Sequence, residues 1–207
     1  MSIKIKRLRQ EMGRGPKDGS TPMPRKTKDY QIRRIVGGLK GLKRIFLPRN
    51  NQLLFMANMQ GKDRKYLTKI RFNELTGKTT DNARSGAVKT ETANGNTLYV
   101  DPPNLNKNPV DISCTCDDFR FNFEYQLFKG GKHLLDKHSE GAKAGNKARS
   151  FTKYDRETEP FRRPRQPENP NPIGRDFKNP DNILGYCKHI HSLMKFLVDR
   201  DMVDGTY

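Results

Sequence analysis

Residues 132–182 most constrain what this chain can build. The stretch is polar and carries Pro160, Pro164, Pro167, Pro170, Pro172 and Pro180. Proline removes a backbone donor and breaks helix interiors and central strands, so a long, mostly irregular insert is expected here. Any core must then join the residues before the insert to the short apolar stretch after it. Apolar material is scarce: 32% of the 207 residues are hydrophobic, Trp is absent, and Gly (17) and Pro (13) are plentiful. A core confined to part of the chain follows, with the remainder as loop, arm or partner-contacting segment.

Two pieces of chain flank the insert. Before it, Leu53-Leu54-Phe55-Met56 and Tyr66-Leu67-Thr68-Lys69-Ile70-Arg71-Phe72 predict strands at 52–58 and 66–72, the second bounded by a turn at Thr76-Gly77-Lys78. Residues 78–96 are small and polar and read as loop. Thr97–Val100 predicts a short strand, and Val110-Asp111-Ile112-Ser113-Cys114 alternates as a strand leading into the cysteines. After the insert, Ile190, Leu193, Met194, Leu197 and Val198 form one stripe, predicting a helix over Lys188–Met202 with Gly205 beyond its end. The segment 117–129 fits both periods. Phe119, Phe121, Phe123, Tyr125 and Leu127 alternate, yet Phe119/Phe123/Leu127 also lie at helical spacing. Asp117-Asp118 as N-cap and Gly130-Gly131 as terminus favour a helix.

The net charge of +18 is concentrated at the beginning of the chain, where residues 1–50 carry 15 Lys/Arg against Glu11, Asp18 and Asp29. Residues 1–28, rich in Gly and Pro, predict an extended basic arm. Its Lys4, Lys6, Arg7, Arg9, Arg14, Arg25, Lys26 and Lys28 are candidate contacts to nucleic acid or to neighbouring protein subunits. Residues 29–50 read as a basic amphipathic helix and linker, with Ile32, Ile35, Val36, Leu39, Leu42, Ile45 and Phe46 at roughly helical spacing. Gly37, Gly38 and Gly41 weigh against that helix. Such a helix lies on DNA, a membrane or a partner, or packs in the core. No apolar run is long enough to span a bilayer, and the first residues lack the apolar region of a secretory signal. A soluble protein made in a reducing compartment is expected.

The chain's three cysteines occur as Cys114-Thr115-Cys116 and Cys187-Lys188-His189. An odd number of thiols without a secretory signal argues against a disulfide framework. Three thiolates and an imidazole are the donors of a closed, four-ligand structural Zn²⁺ site. A strand-to-turn corner aims Cys114 and Cys116 at one point, and a helix start aims Cys187 and His189 at the same point from the other side. His191 is the alternative to His189, although it points about 200° around the helix. His133 and His138 fall in the polar insert. No nucleophile–base pair is legible, Gly37-Gly38-Leu39-Lys40-Gly41 lacks the spacing of a phosphate loop, and a metal with four protein ligands has no position for water. An enzyme is not expected.

The order of these motifs resembles the SWIM-type zinc finger. Ile112-Ser113-Cys114-Thr115-Cys116-Asp117-Asp118-Phe119 provides the strand and first pair, and Gly185-Tyr186-Cys187-Lys188-His189-Ile190 the second pair and helix start. The resemblance implies ligand roles for Cys114, Cys116, Cys187 and His189. The chain departs from the family in its spacer, with seventy residues between Cys116 and Cys187. Over residues 110–198, Cys-X-Cys-x-x-Phe, the Pro/Arg-rich insert, Asn179-Pro180 and Gly185-x-Cys-Lys-His also look like small virion structural proteins of large tailed bacteriophages. That likeness implies a virion component made in a host cytoplasm. The expected fold is α+β: a zinc-stapled body of short antiparallel strands and a C-terminal helix, from 51–131 and 183–207, with the arm and insert outside it. The expected function is a non-enzymatic structural protein of a large assembly. The alternative is a cytoplasmic nucleic-acid-binding or ribosome-associated protein.

Overall fold

A computed structural model describes residues 4, 5, 8, 36, 37, 39–61, 64–119, 123, 124, 127 and 185–205. The insert at 132–182 and most of the arm lie outside the described residues. Seven strands form one mixed sheet: β1 (Lys40–Leu47), β2 (Gln52–Gln60), β3 (Lys65–Phe72), β4 (Thr79–Thr80), β5 (Val88–Thr92), β6 (Thr97–Val100) and β7 (Val110–Cys114), in the order β4-β6-β5-β1-β2-β3-β7. A helical turn, α1 (Asp117–Phe119), follows β7, and the C-terminal helix is α2 (Lys188–Asp199). The expected α+β body is present, but its sheet is not wholly antiparallel, since β1 and β5 run parallel.

The strands at 52–58, 66–72, 97–100 and 110–114 form as their alternation predicts. In β2, Leu53, Phe55, Ala57 and Met59 are buried and the intervening residues are not. The register sets Phe55 beside Ile70 and Leu53 beside Phe72, and β7 continues the same face with Val110, Ile112 and Cys114. Phe55 and Phe72 meet edge to face with ring centroids 6.0 Å apart, a favoured aromatic geometry. Helix α2 packs on this face over β2, β3 and β7, burying Ile190, Leu193, Met194 and Leu197.

Both ends of α2 are anchored. Its C-terminus closes with Asp201 N–H donating to the Val198 carbonyl (3.0 Å) and Met202 N–H to the Leu197 carbonyl (2.9 Å). Asp201 takes the left-handed conformation, φ +53°. This double closure is the Schellman pattern, and it ends the helix ahead of the expected Met202 and of Gly205. Beyond it, Leu105 N–H donates to Asp204 and Asp204 N–H to Pro103, at 2.8 and 2.9 Å. The tail is thereby tied to the loop that leads into β7.

Three expectations are corrected. The amphipathic helix over 29–50 is replaced, from Lys40 to Leu47, by a strand between β2 and β5, so the body begins before residue 51. Gly41 sits at φ +62° beside a register shift between Lys40 and Lys43. The bulge inserts residues into a strand and gives its apolar positions a spacing that imitates a helix. The presumed loop 78–96 contains β4 and β5. Val88 and Thr90 of β5 face inward, and the β5–β6 hairpin turns at Asn94-Gly95, with Gly95 at φ +81°, a hairpin signal present in the sequence. The arm is not extended from its start: Ile5 and Leu8 are helical and fully buried, while Lys4 is exposed. For 117–129 the helical alternative holds at the described positions, with Phe119, Phe123 and Leu127 all helical and buried.

Truncating the inner face costs far more than truncating the outer one. Phe55→Ala is expected to lose about 3–5 kcal/mol, and Met56→Ala, half-buried on the other face, about 1 kcal/mol or less. Urea unfolding at fixed metal content reads both, and equal losses contradict the assignment of the faces.

Candidate metal centre

The last residue of β7 begins the site. Cys114 pairs with Thr68 of β3, and its Sγ lies 3.5 Å from Thr68 Oγ1. Successive strand residues point to opposite faces, so in Cys114-Thr115-Cys116 the two sulfurs turn inward and Thr115 turns out. Thr115 fixes the corner: its N–H donates to the Leu67 carbonyl (3.1 Å) and its Oγ1 accepts from Leu67 N–H (3.1 Å). Chain direction then changes at Cys116, whose Sγ accepts the Phe119 N–H at 3.3 Å. Cys116 therefore caps α1, the place expected for Asp117-Asp118, and the two aspartates occupy the first turn instead.

The second pair sits at the start of α2. Cys187 is its N-cap residue, with extended φ −77° and ψ 168°, and His189 lies within the first turn. The ligand atoms of Cys114, Cys116, Cys187 and His189 all lie within 4.8 Å of one another. The side chains converge as the sequence predicts. Each of the four residues is no more than 2% exposed, and none of the three cysteines forms a disulfide. Both ring nitrogens of His189 are buried without a hydrogen-bond partner. A neutral imidazole carries one donor and one acceptor, and leaving them unmatched costs about 1–3 kcal/mol each. A metal ion bound to one nitrogen removes much of that cost.

His191 is not part of the cluster. It is half-buried and stacks on Tyr186, with centroids 6.3 Å apart and planes at 22°. Of the arm cations, Lys4 is exposed, and Lys6, Arg7, Arg9, Arg14, Arg25, Lys26 and Lys28 lie outside the described residues, as do His133 and His138.

Burial pushes the Cys114 thiol up, but the adjoining Cys116 and Cys187 thiols and the His189 imidazole outweigh it and hold Cys114 well below the usual thiol range. Cys116 is pushed up, chiefly by its hydrogen bond to Cys114. Cys187 is pushed well up by its complete burial and then by its bonds to Cys114 and Cys116. Without a cation, burial and the mutual repulsion of neighbouring thiolates work against ionising all three thiols together. A cation reverses this, because coordination requires the thiolates. Three sulfurs and an imidazole suit a soft or borderline transition-metal ion better than Mg²⁺ or Ca²⁺, which take oxygen ligands.

Sequence reasoning did not assign the supporting residues. Tyr66 packs against His189 with ring centroids 4.8 Å apart and planes at 47°. Gly61 makes room for it: a Cβ there would stand 2.2 Å from the Tyr66 ring. Arg64 lies over the Tyr66 ring, 5.2 Å from its centroid, and pairs with Asp117 at 3.5 Å. The available signal was face parity, since Tyr66, Thr68, Ile70 and Phe72 share one face of β3. That β3 neighbours β7 is a tertiary fact.

Comparison of the chain with protein-family models, curated proteins and solved structures finds no match. The likeness to a SWIM-type finger therefore rests on the motif order and on the convergence of these four side chains.

Two outcomes follow for metal binding. His189→Ala is expected to abolish tight binding and His191→Ala to leave it unchanged, as read by the charge-transfer absorption of a Co²⁺ titration. Protons on Cys116 and Cys187 compete with the metal, so affinity rises with pH, by up to about 100-fold per unit if both protons are displaced. Chelator competition near pH 6.5 and near pH 7.5 checks the sign.

Proposed function

We propose that the cluster holds one structural zinc ion in a SWIM-like arrangement. On this reading the chain is a non-enzymatic structural protein of a large assembly, a minor virion component of the tailed-phage kind. The observation that carries the proposal is the closure of the site. Four protein donors are buried together, so a tetrahedral ion bound by all of them keeps no position for water or substrate. Such an ion joins the β7 corner to the start of α2, two pieces of chain separated by the seventy residues between Cys116 and Cys187.

The energetics favour a staple of this kind. Loop-closure cost rises by only about 0.6 kcal/mol per doubling of loop length. A structural zinc supplies roughly 10–16 kcal/mol. A long polar insert between the ligand pairs is therefore tolerable. The resemblance to small virion structural proteins supports the assignment to a particle, and the basic composition of residues 1–28 supports contacts to neighbouring subunits or nucleic acid. Because Ile5 and Leu8 belong to the core, a deletion that tests the arm has to begin after them.

Elemental mass spectrometry of purified protein should find one zinc per chain, lost in Cys187→Ser together with cooperative unfolding. A folded, reduced, metal-free protein contradicts the staple. Deleting residues 10–28 should leave zinc content and thermal midpoint intact, yet move the protein from particle-sized to monomer-sized fractions in gradient sedimentation from the cells that make it. Unchanged sedimentation in the particle fraction contradicts the arm's role.

A further inference from the structure

The face of the sheet turned away from α2 carries a second feature. Its half-buried apolar residues, Ile45, Leu47, Leu54, Met56 and Leu67, share the face with lysines. Met56 of β2 pairs with Lys43 of β1 on one side and Lys69 of β3 on the other. The parallel register sets Ile45 beside Glu91, and continuing it two residues back sets Lys43 beside Lys89. Lys89 in turn pairs with Tyr99 of β6. One transverse row thus reads Tyr99, Lys89, Lys43, Met56, Lys69. With strands about 4.8 Å apart, the three lysines span about 14 Å across the sheet.

The bulge at Gly41 enlarges this row. Lys40 and Lys43, three apart in sequence, would face opposite sides of a regular strand. The register shift pairs them with Asn58 and Met56, which share the outer face, so both lysines lie on it. Lys40, Lys43 and Lys89 are exposed and make no ion pair among the described residues. Of the described carboxylates on this face, Asp111 is held by Arg71 at 2.6 Å and by Asn73 at 3.0 Å, and Glu91 of β5 lies two residues from Lys89. Long lysine stems can run along apolar residues of this kind while their ammonium heads stay in water.

From this geometry we infer that the outer face of the sheet binds the phosphate backbone of a single nucleic-acid strand through Lys40, Lys43 and Lys89, with Tyr99 as a stacking surface at the end of the row. A row of cations on a flat sheet beside an aromatic ring is the pattern that tracks a single strand with little regard to sequence. A linear array of phosphates matches a linear array of ammonium groups. The inference concerns the side of the sheet opposite the metal cluster and does not depend on the zinc reading.

The test uses the full chain, arm included, and fluorescence anisotropy of a labelled 20-nucleotide oligothymidylate. Lys43→Glu/Lys89→Glu is compared with Lys107→Glu/Arg200→Glu, which makes the same charge change on exposed residues outside the row. The first pair is expected to weaken binding at least tenfold at moderate salt. It should also flatten the dependence of log K on log salt by about 1.4, two contacts at about 0.7 each. The second pair is expected to change affinity less than threefold. Lys43→Gln/Lys89→Gln should shift affinity in the same direction by less, with the thermal midpoint and metal content unchanged in all three. Equal losses in the two Glu pairs, or no binding by the wild type, overturn the proposal. So does competition by poly-L-glutamate as effective per charge as that of the oligonucleotide, which would assign the face to an acidic protein.

Discussion

Four soft donors buried at one point set the terms for the rest of this structure. Cys114, Cys116, Cys187 and His189 are each nearly inaccessible, and His189 has no partner for either ring nitrogen. Burial of unmatched polar groups is unfavourable, so the arrangement makes physical sense as a place for a cation. Its mechanical consequence is large. β7 is one of the two edge strands of the sheet, and α2 reaches the sheet from beyond a long polar insert. The cluster holds the beginning of α2 against β7, the Asp204–Leu105 pairing holds its end, and between them the helix covers the inner face of β2 and β3.

The two faces of the sheet divide the labour. The inner face carries Leu53, Phe55, Ile70, Phe72 and Ile112, and then the first ligand, Cys114, in one continuous parity. The outer face is half-buried, basic and free of any covering element among the described residues. The Gly41 bulge belongs to this division, since without it Lys40 or Lys43 would point toward the core. The fully buried apolar side chains of β2, β3 and β7 lie on the inner face, and the outer face carries half-buried ones among its lysines.

Much of the body was legible in sequence, for identifiable reasons. β2, β3, β6 and β7 alternate over enough residues for a period of two to stand out, and α2 carries a stripe at i, i+3, i+4 and i+7. β1 was misread because a bulge interrupts its alternation and leaves Leu39, Leu42 and Ile45 three apart, the spacing of a helix. β5 was missed because Val88 and Thr90 are its only buried positions, too short a pattern to outweigh its polar neighbours. Ile5 and Leu8 were absorbed into the basic arm because composition averages over a segment, whereas burial acts on single side chains.

The sequence by itself determined which atoms are available as ligands, because only these three thiols exist and a Cys-X-Cys on a strand end must turn both sulfurs to one side. It also determined the helix that carries the second pair, through the period of its apolar stripe. Only the tertiary structure decided that His189 and not His191 completes the set, that Tyr66 and Thr68 support it, and that lysines from β5, β1 and β3 share one row. Those outcomes depend on strand neighbours, register and the angle at which a helix meets a sheet. They arise from pairing residues far apart in the chain, and local periodicity carries no information about that pairing.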